Sequence, residues 1–115
     1  MNSPSHTAFF WDQDRVFCLS PDLIIELERK TGHGIGELCR RLFRGDFRHL
    51  DLLETIRLAL IGGGTDPKEA SALIASYAAT QPLGTMFALA VQILEVAYFG
   101  AEPAKTTQEG STDEK

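Results

Sequence analysis

Near its N-terminus the chain carries two apolar segments with the composition of β-strands. Residues 7–11 and 15–19 are rich in aromatic and β-branched side chains, and Asp12-Gln13-Asp14 between them is typical of a turn. The pattern therefore predicts a β-hairpin at the start of the fold.

From Ser20 onward the apolar positions recur at helical spacing, and residues typical of helix ends separate the apolar stretches. Ser20-Pro21-Asp22 combines a capping hydroxyl, a proline at the first helical position and an acid in the first turn. Asp66-Pro67-Lys68-Glu69 has a similar design, with an acid at the third position. We predict that Asp46 caps the third helix and that the glycines 62–64 are a helix stop and flexible joint. The predicted helices cover about 21–31, 35–44, 47–61, 67–77 and 82–99.

Two of these predicted helices carry long apolar stripes. The stripe of the third helix consists of Leu50, Leu53, Ile56, Leu60 and Ile61. The wide stripe of the last helix consists of Leu83, Met86, Phe87, Ala90, Val91, Leu94 and Ala97. Because this stripe is so wide, we expect the last helix to be central in the core. Segment 83–99 is at the short limit for a membrane span and contains Gln92 and Glu95, which favours a buried helix.

Together these elements predict an α+β, mostly helical fold, with an N-terminal β-hairpin followed by about five helices in one small domain. A length of 115 residues suits one domain, and 43% hydrophobic residues allow a packed core without metal or disulfide support. Residues 1–6 are predicted to form a flexible lead. Residues 102–115 contain no large apolar side chain, so we predict a disordered tail there.

The charge distribution bears on nucleic-acid binding. A formal net charge of −5 and a pI of about 5.1 argue against a protein built mainly to hold a phosphate backbone. Six basic residues nevertheless fall in one stretch: Arg29, Lys30, Arg40, Arg41, Arg44 and Arg48. Arg40 and Arg44 are one helical turn apart, but Glu37, Asp46 and Asp51 interrupt the cluster. The pattern favours an ordinary solvated face over a phosphate-binding patch.

The residues capable of catalysis or metal binding are scattered along the chain. His6, His33 and His49 have no spacing that predicts a nucleophile, a base and an orienting group in one pocket. Cys18 and Cys39 form no CxxC motif and have no metal-ligand spacing, so we interpret them as small apolar core residues with free thiols. We therefore predict that the protein is not an enzyme and has no metal or cofactor.

Two further patterns have a structural interpretation. The glycine-rich run Thr31–Gly36 follows a predicted helix and lacks the Gly-Lys-Ser/Thr of a phosphate-binding loop, so we interpret it as a connection between helices. The carboxylate pairs Glu26 with Glu28 and Asp51 with Glu54 are interpreted as solvated residues on polar faces. Residues 1–6 do not resemble a signal peptide, which together with free thiols predicts a cytoplasmic protein.

Both faces of the predicted hairpin are apolar, because consecutive side chains of a strand point to opposite sides. One face must cover the helices. The other face is exposed unless the N-terminal lead, a second copy or a partner covers it, and such patches usually mark interaction surfaces. The alternative is a hairpin tucked between helices, and the pattern leaves both open. The candidate partner-binding residues are Phe9, Phe10, Trp11, Val16 and Phe17.

Several longer motifs resemble one known family. The runs Leu27–Gly36, Glu54–Gly64 and Pro67–Ala70, with Pro82-Leu83 and Tyr98–Gly100, are similar to the tail-assembly chaperones of gene transfer agents and tailed phages. The resemblance covers about residues 7–101, which we predict to be a single tail-assembly-chaperone-like domain in the cytoplasm of a bacterial host.

This resemblance implies a protein encoded between the tail-tube and tape-measure genes. It implies binding to the tape-measure protein, a long and largely helical chain, which is kept soluble until tail-tube subunits polymerise around it. Tail-tube subunits and a second copy of the chain are further candidate partners, and the family has no catalytic residues. The family is also labelled a tail tube protein, although this chain lacks the strand content of a tube-forming β-sandwich. The alternative function, supported only by the basic cluster, is a small helical nucleic-acid-binding phage regulator.

Overall fold

The structure, a computed structural model, describes residues 3–100. The predicted tail, 102–115, lies outside the described residues. The described part confirms the predicted fold class, with a two-stranded antiparallel hairpin followed by five helices. In chain order the elements are β1 (Ser5–Phe10), β2 (Gln13–Cys18), α1 (Pro21–Thr31), α2 (Ile35–Arg44), α3 (His49–Gly62), α4 (Pro67–Thr80) and α5 (Leu83–Phe99).

The hairpin differs from the prediction in its limits and its turn. Strand β1 begins at Ser5, so part of the segment predicted as a flexible lead is paired with β2. Phe10 pairs with Gln13, which leaves only Trp11 and Asp12 in the turn instead of the predicted residues 12–14. Trp11 takes a φ of 67°, and the Asp12 N–H donates to the Phe10 carbonyl over 2.8 Å. The tight turn thus depends on a left-handed conformation that a bulky residue rarely adopts.

Two of the predicted helix starts are confirmed by their caps. The Ser20 hydroxyl accepts a hydrogen bond from the Leu23 N–H at the start of α1. At the start of α4, the Asp66 carboxylate accepts from the N–H groups of Lys68 and Glu69, over 3.1 and 3.4 Å. Both caps satisfy backbone donors that have no partner within the helix.

The start of α3 corrects the prediction. The helix begins at His49, and Asp46 instead forms ion pairs with Arg41 and Arg44. The backbone N–H of Arg48 donates to the Asp51 carboxylate over 2.9 Å, which closes the first turn of α3.

The predicted apolar stripe of α3 is also only partly right. Leu50 is 43% exposed and Leu53 is half-buried, while residues outside the stripe are buried. The helix packs against α1, α4, α5 and β2, so most of its circumference faces other elements and no single stripe describes it. Its buried residues are Asp51, Leu52, Thr55, Ile56, Leu58, Ala59 and Leu60.

The core is organised around two helices that pack against each other. Helix α5 was expected to be central, and it contacts α2, α3 and both strands. Helix α3 is equally central, because α1 and α4 pack against it on the sides that α5 leaves free. Among the helices of residues 3–100, none combines the length and the hydrophobicity that a membrane-spanning segment requires.

The triple glycine is a close-packing site and not merely the stop and flexible joint that was predicted. A Cβ atom on Gly62 would lie 1.8 Å from the Cys18 carbonyl oxygen, and one on Gly63 would lie 1.8 Å from the Val16 carbonyl oxygen. The C-terminal end of α3 therefore touches the backbone of β2 directly. Only glycine permits such an approach.

Candidate partner-binding surfaces

The register of the hairpin separates the candidate residues into two groups. His6 pairs with Phe17 and Ala8 with Arg15, so these side chains share one face with Phe10. This inner face lies against the helices, and Phe10 and Phe17 are each only 1% exposed. They belong to the core and present no surface to a partner. The two faces predicted from the alternation are real, but only one of them is open.

Three of the candidates are exposed: Phe9 and Val16 on the outer face, and Trp11 in the turn. Phe9 is 70% exposed and Val16 is 40% exposed, while Trp11 in the turn is 39% exposed. We call these three residues the hairpin surface. The predicted partner-binding set is accordingly divided, since two of its five members stabilise the fold and three are accessible.

An aromatic cluster attaches the hairpin to the helices. The ring centroids of Phe10 and Phe17 are 5.7 Å apart in an edge-on arrangement, and the Phe10 centroid lies 4.3 Å from that of Tyr77 on α4. Trp11 approaches the same tyrosine edge-on at 5.9 Å. Burial raises the pKa of the Tyr77 phenol. These ring contacts fix the face of the hairpin that carries Phe10 and Phe17 against the helices.

The inner face also holds a charged residue that the sequence pattern did not identify. The Arg15 side chain is only 9% exposed and forms ion pairs with Asp12 at 3.3 Å and Glu69 at 3.5 Å. Its guanidinium thereby links the turn of the hairpin to the first turn of α4. The pattern missed this contact because Glu69 is far from the hairpin in sequence.

A second apolar surface lies between α1, α2 and α5. It is a groove with a volume of about 230 Å³, and nothing in the helical periodicity distinguished these positions from fully covered ones. Tyr98 and its neighbour Phe99 are exposed at the C-terminal end of α5, where the groove is. The groove is lined by Ile24, Ile35, Cys39, Leu94, Ala97 and Tyr98.

Most of the predicted basic cluster is balanced by nearby acids. Arg29 pairs with Glu26, and Arg41 and Arg44 pair with Asp46. The Arg48 guanidinium donates to the Asp51 carboxylate and to the carbonyl of Thr31. The cluster therefore consists largely of ion pairs along α1, α2 and the start of α3, and not of a uniform positive patch.

Several carboxylates that were interpreted as solvated have structural contacts. Asp51 is fully buried and holds Arg48 at 2.8 Å, which corrects its predicted place on a polar face. Glu28 accepts the N–H of Ile35 over 2.8 Å and so caps α2 from the preceding helix. Glu54 is largely buried beside Arg57 at 2.6 Å, and this hydrogen bond raises the pKa of the guanidinium.

The two cysteines are free, as the spacing predicted, but they differ in environment. Cys39 is buried, and desolvation raises the pKa of its thiol to about 11. Cys18 is only partly buried and lies near the carbonyl of Ser3. The raised pKa of Cys39 disfavours its thiolate, which is the nucleophilic and metal-binding form.

The histidines do not converge. His6 lies 3.1 Å from the Gln92 side chain of α5, His33 lies 3.6 Å from Glu37, and His49 is exposed at the start of α3. Within residues 3–100, no group of three or more His, Cys, Asp or Glu side chains is placed to hold a metal ion.

Comparison with known proteins supports a role in a phage tail. A family model described as "Phage tail tube protein, GTA-gp10" matches residues 3–100. No curated protein and no solved structure matches the chain. The match extends over both strands and all five helices, and it confirms the resemblance to a gene transfer agent tail family. The chain belongs to the phage tail family described as phage tail tube protein, GTA-gp10.

Proposed function

We propose that the protein is a tail-assembly chaperone that binds the tape-measure protein during assembly of a phage or gene-transfer-agent tail. Membership of the tail family supports a function in a phage tail. The observation that carries the chaperone role is the hairpin surface: Phe9, Trp11 and Val16 are exposed although the inner face of the hairpin already fills the core. Phe9 and Val16 share the outer face, and exposed apolar side chains that lie on one face favour a protein partner.

The groove supplies a second region for the same partner. A largely helical chain presents apolar side chains every three or four residues, and a short apolar groove accepts such anchors. The lining from α1, α2 and α5 is apolar, and Tyr98 at its rim offers both an apolar ring and a hydroxyl. The net charge of −5 helps to keep a complex with an apolar partner in solution.

The family description favours a second candidate, a subunit of the tail tube itself. The described residues contain one two-stranded hairpin as their only sheet, which is little strand for a tube wall built from β-sandwiches. A nucleic-acid-binding role has less support, because the arginines of the basic cluster are largely paired with acids.

Co-expression with the tape-measure protein of the same gene cluster tests the proposal. We expect the tape-measure protein to be soluble and to co-purify with this chain, and to aggregate when expressed alone. Phe9→Lys should reduce co-purification, and it preserves the hairpin because lysine opposite Asp14 forms a favourable cross-strand pair. The matched control is Ile25→Lys, a change at a 62% exposed apolar position on α1 that belongs to neither surface.

The outcomes test the chaperone function and the role of the hairpin surface separately. A wild-type chain that never solubilises the tape-measure protein refutes the chaperone role. If the wild type succeeds and Phe9→Lys binds as well as Ile25→Lys, the hairpin surface is not the contact, and Tyr98→Lys then tests the groove. Mass spectrometry of purified particles distinguishes the second candidate, because a tube subunit is present in many copies and a chaperone is released.

A further inference from the structure

The contact between β2 and α3 reveals which backbone groups of the hairpin point outward. The carbonyl oxygens of Val16 and Cys18 face the glycines at the end of α3, so they point away from β1. In an antiparallel pair, residues whose carbonyl points away from the partner strand belong to non-hydrogen-bonded pairs, which alternate with hydrogen-bonded ones. The partners of these two residues are Thr7 and Ser5.

The same alternation gives the direction of the backbone N–H and C=O groups along the whole length of β1. Ser5, Thr7 and Phe9 direct their N–H and C=O groups away from β2, toward the other edge of the strand. The alternation makes Phe10 and Gln13, which flank the two-residue turn, one of the hydrogen-bonded pairs. We call the row formed by Ser5, Thr7 and Phe9 the outward edge.

Within residues 3–100, nothing pairs with the outward edge. The sheet has two strands, and the backbone of Ser5, Thr7 and Phe9 has no hydrogen bond there outside the hairpin itself. Helix α5 packs against β1 on the inner face, where His6 approaches Gln92, and Tyr77 of α4 meets Phe10 on the same face. The three residues are exposed.

The outward edge also lacks the features that normally prevent strands from pairing. Natural sheets protect their edges with lysines, prolines, bulges or inward-pointing charges. Strand β1, with the sequence SHTAFF, contains no lysine, carboxylate or proline, and its register with β2 is continuous over all six residues. Such an edge is a template for another strand.

We propose that the outward edge pairs with the same edge of a second copy of this chain, antiparallel about a two-fold axis through Thr7. In this register Thr7 lies opposite Thr7 of the second copy, and Ser5 lies opposite Phe9 in both directions. All three outward residues then form hydrogen-bonded pairs, so the contact is self-complementary, as a two-fold interface requires.

The chemistry of β1 favours a second copy over an unrelated strand. The chain as a whole is acidic, yet the segment that would meet itself carries no carboxylate, so two copies approach there without like-charge repulsion. Threonine opposite threonine is a favourable cross-strand pair. The result is a continuous four-stranded sheet in the order β2-β1-β1-β2, whose outer face joins the Val16 and Phe9 side chains of both copies. This inference does not rest on the proposed function, although it would double the hairpin surface.

The molar mass of the full-length chain tests the proposal. By sedimentation equilibrium, we expect the wild type to approach twice its chain mass of 12.7 kDa as concentration rises. Thr7→Lys should remain monomeric, because it places two ammonium groups face to face at the axis. Thr7→Pro should also remain monomeric, because it removes an outward N–H that β2 does not use. Gln13→Lys, at an exposed position of β2, is the control and should dimerise as the wild type does.

Amide hydrogen exchange of the wild type gives a measurement that needs no variant. The N–H groups of Thr7 and Phe9 should exchange slowly at high concentration and rapidly on dilution. A wild type that stays monomeric, a dimer that persists in both folded Thr7 variants, or a dimer in which these amides exchange rapidly would each overturn the proposal. Protection of the same amides only after the tape-measure protein is added would show that the edge binds a foreign strand instead.

Discussion

Replacing Gly62 by alanine tests the close contact between α3 and β2. The added Cβ atom would lie 1.8 Å from the Cys18 carbonyl oxygen, so the strand must move by about 1.6 Å to reach an ordinary contact distance of 3.4 Å. Backbone atoms are the obstacle, and a side-chain rotation cannot remove the clash. The movement would separate β2 from the helices that bury Phe17 and Leu19.

The expected magnitude follows from two opposing effects. Overpacking a tightly filled site costs about 1–3 kcal/mol and occasionally more. Alanine in place of glycine in a helix gains about 0.5–1 kcal/mol, and this gain is smaller at a helix end such as Gly62. We expect Gly62→Ala to lower the free energy of unfolding by about 1–3 kcal/mol, which corresponds to a fall in Tm of roughly 5–20 °C.

Two matched variants isolate the effect of the clash. An added Cβ atom on Gly36 in α2 would have no neighbour closer than 3.9 Å, and one on Gly84 in α5 would have none within 4 Å. Both alanine variants should be as stable as the wild type or more stable by up to about 1 kcal/mol. Urea unfolding followed by far-ultraviolet circular dichroism measures all three. If Gly62→Ala is as stable as Gly84→Ala, the inferred contact between α3 and β2 is wrong.

Two further changes probe buried ionisable groups. Asp51→Ala should lower the free energy of unfolding by about 2–3 kcal/mol, because it leaves the backbone N–H of Arg48 without its acceptor and removes one of the two acceptors of the Arg48 guanidinium. Asp51→Asn keeps an acceptor and should lose less in the same urea titration. The Cys39 thiol has a pKa of about 11 in the folded chain against an ordinary value of 9.0, so the folded state holds its proton to higher pH. Its effect on stability is therefore constant below pH 9, and stability falls as pH rises from 9 to 11, by up to about 2–3 kcal/mol. Cys39→Ala should flatten this alkaline decline, and an unchanged pH profile in that variant would contradict the assignment.

Many of the helices could be located from the sequence because their signals are local. The hydroxyl of Ser20 and the carboxylate of Asp66 act on N–H groups two or three residues away, so the start of α1 and of α4 follows from neighbouring residues alone. Where a competing contact exists, local signals fail. Asp46 has the side chain of a cap, but two arginines of α2 hold it, and α3 begins three residues later.

The same local reasoning identified only part of the candidate site. Alternation along the hairpin showed that Phe9 and Phe10 lie on opposite faces, and it named both as partner-binding residues. It had no means of deciding which face meets the helices, because that depends on Tyr77 of α4, which stands far away in sequence. The groove was missed for a similar reason, since its lining comes from three separate helices.

The sequence by itself therefore determined the elements of this protein: the order of one hairpin and five helices, most of their ends, and the apolar character of both hairpin faces. Tertiary structure decided which faces and edges of those elements are buried and which are exposed. Packing of β2 against the glycines of α3 directs one set of backbone groups inward and leaves the outward edge of β1 open. Capping and periodicity act over a few residues, whereas burial and strand pairing depend on segments that meet only when the chain folds.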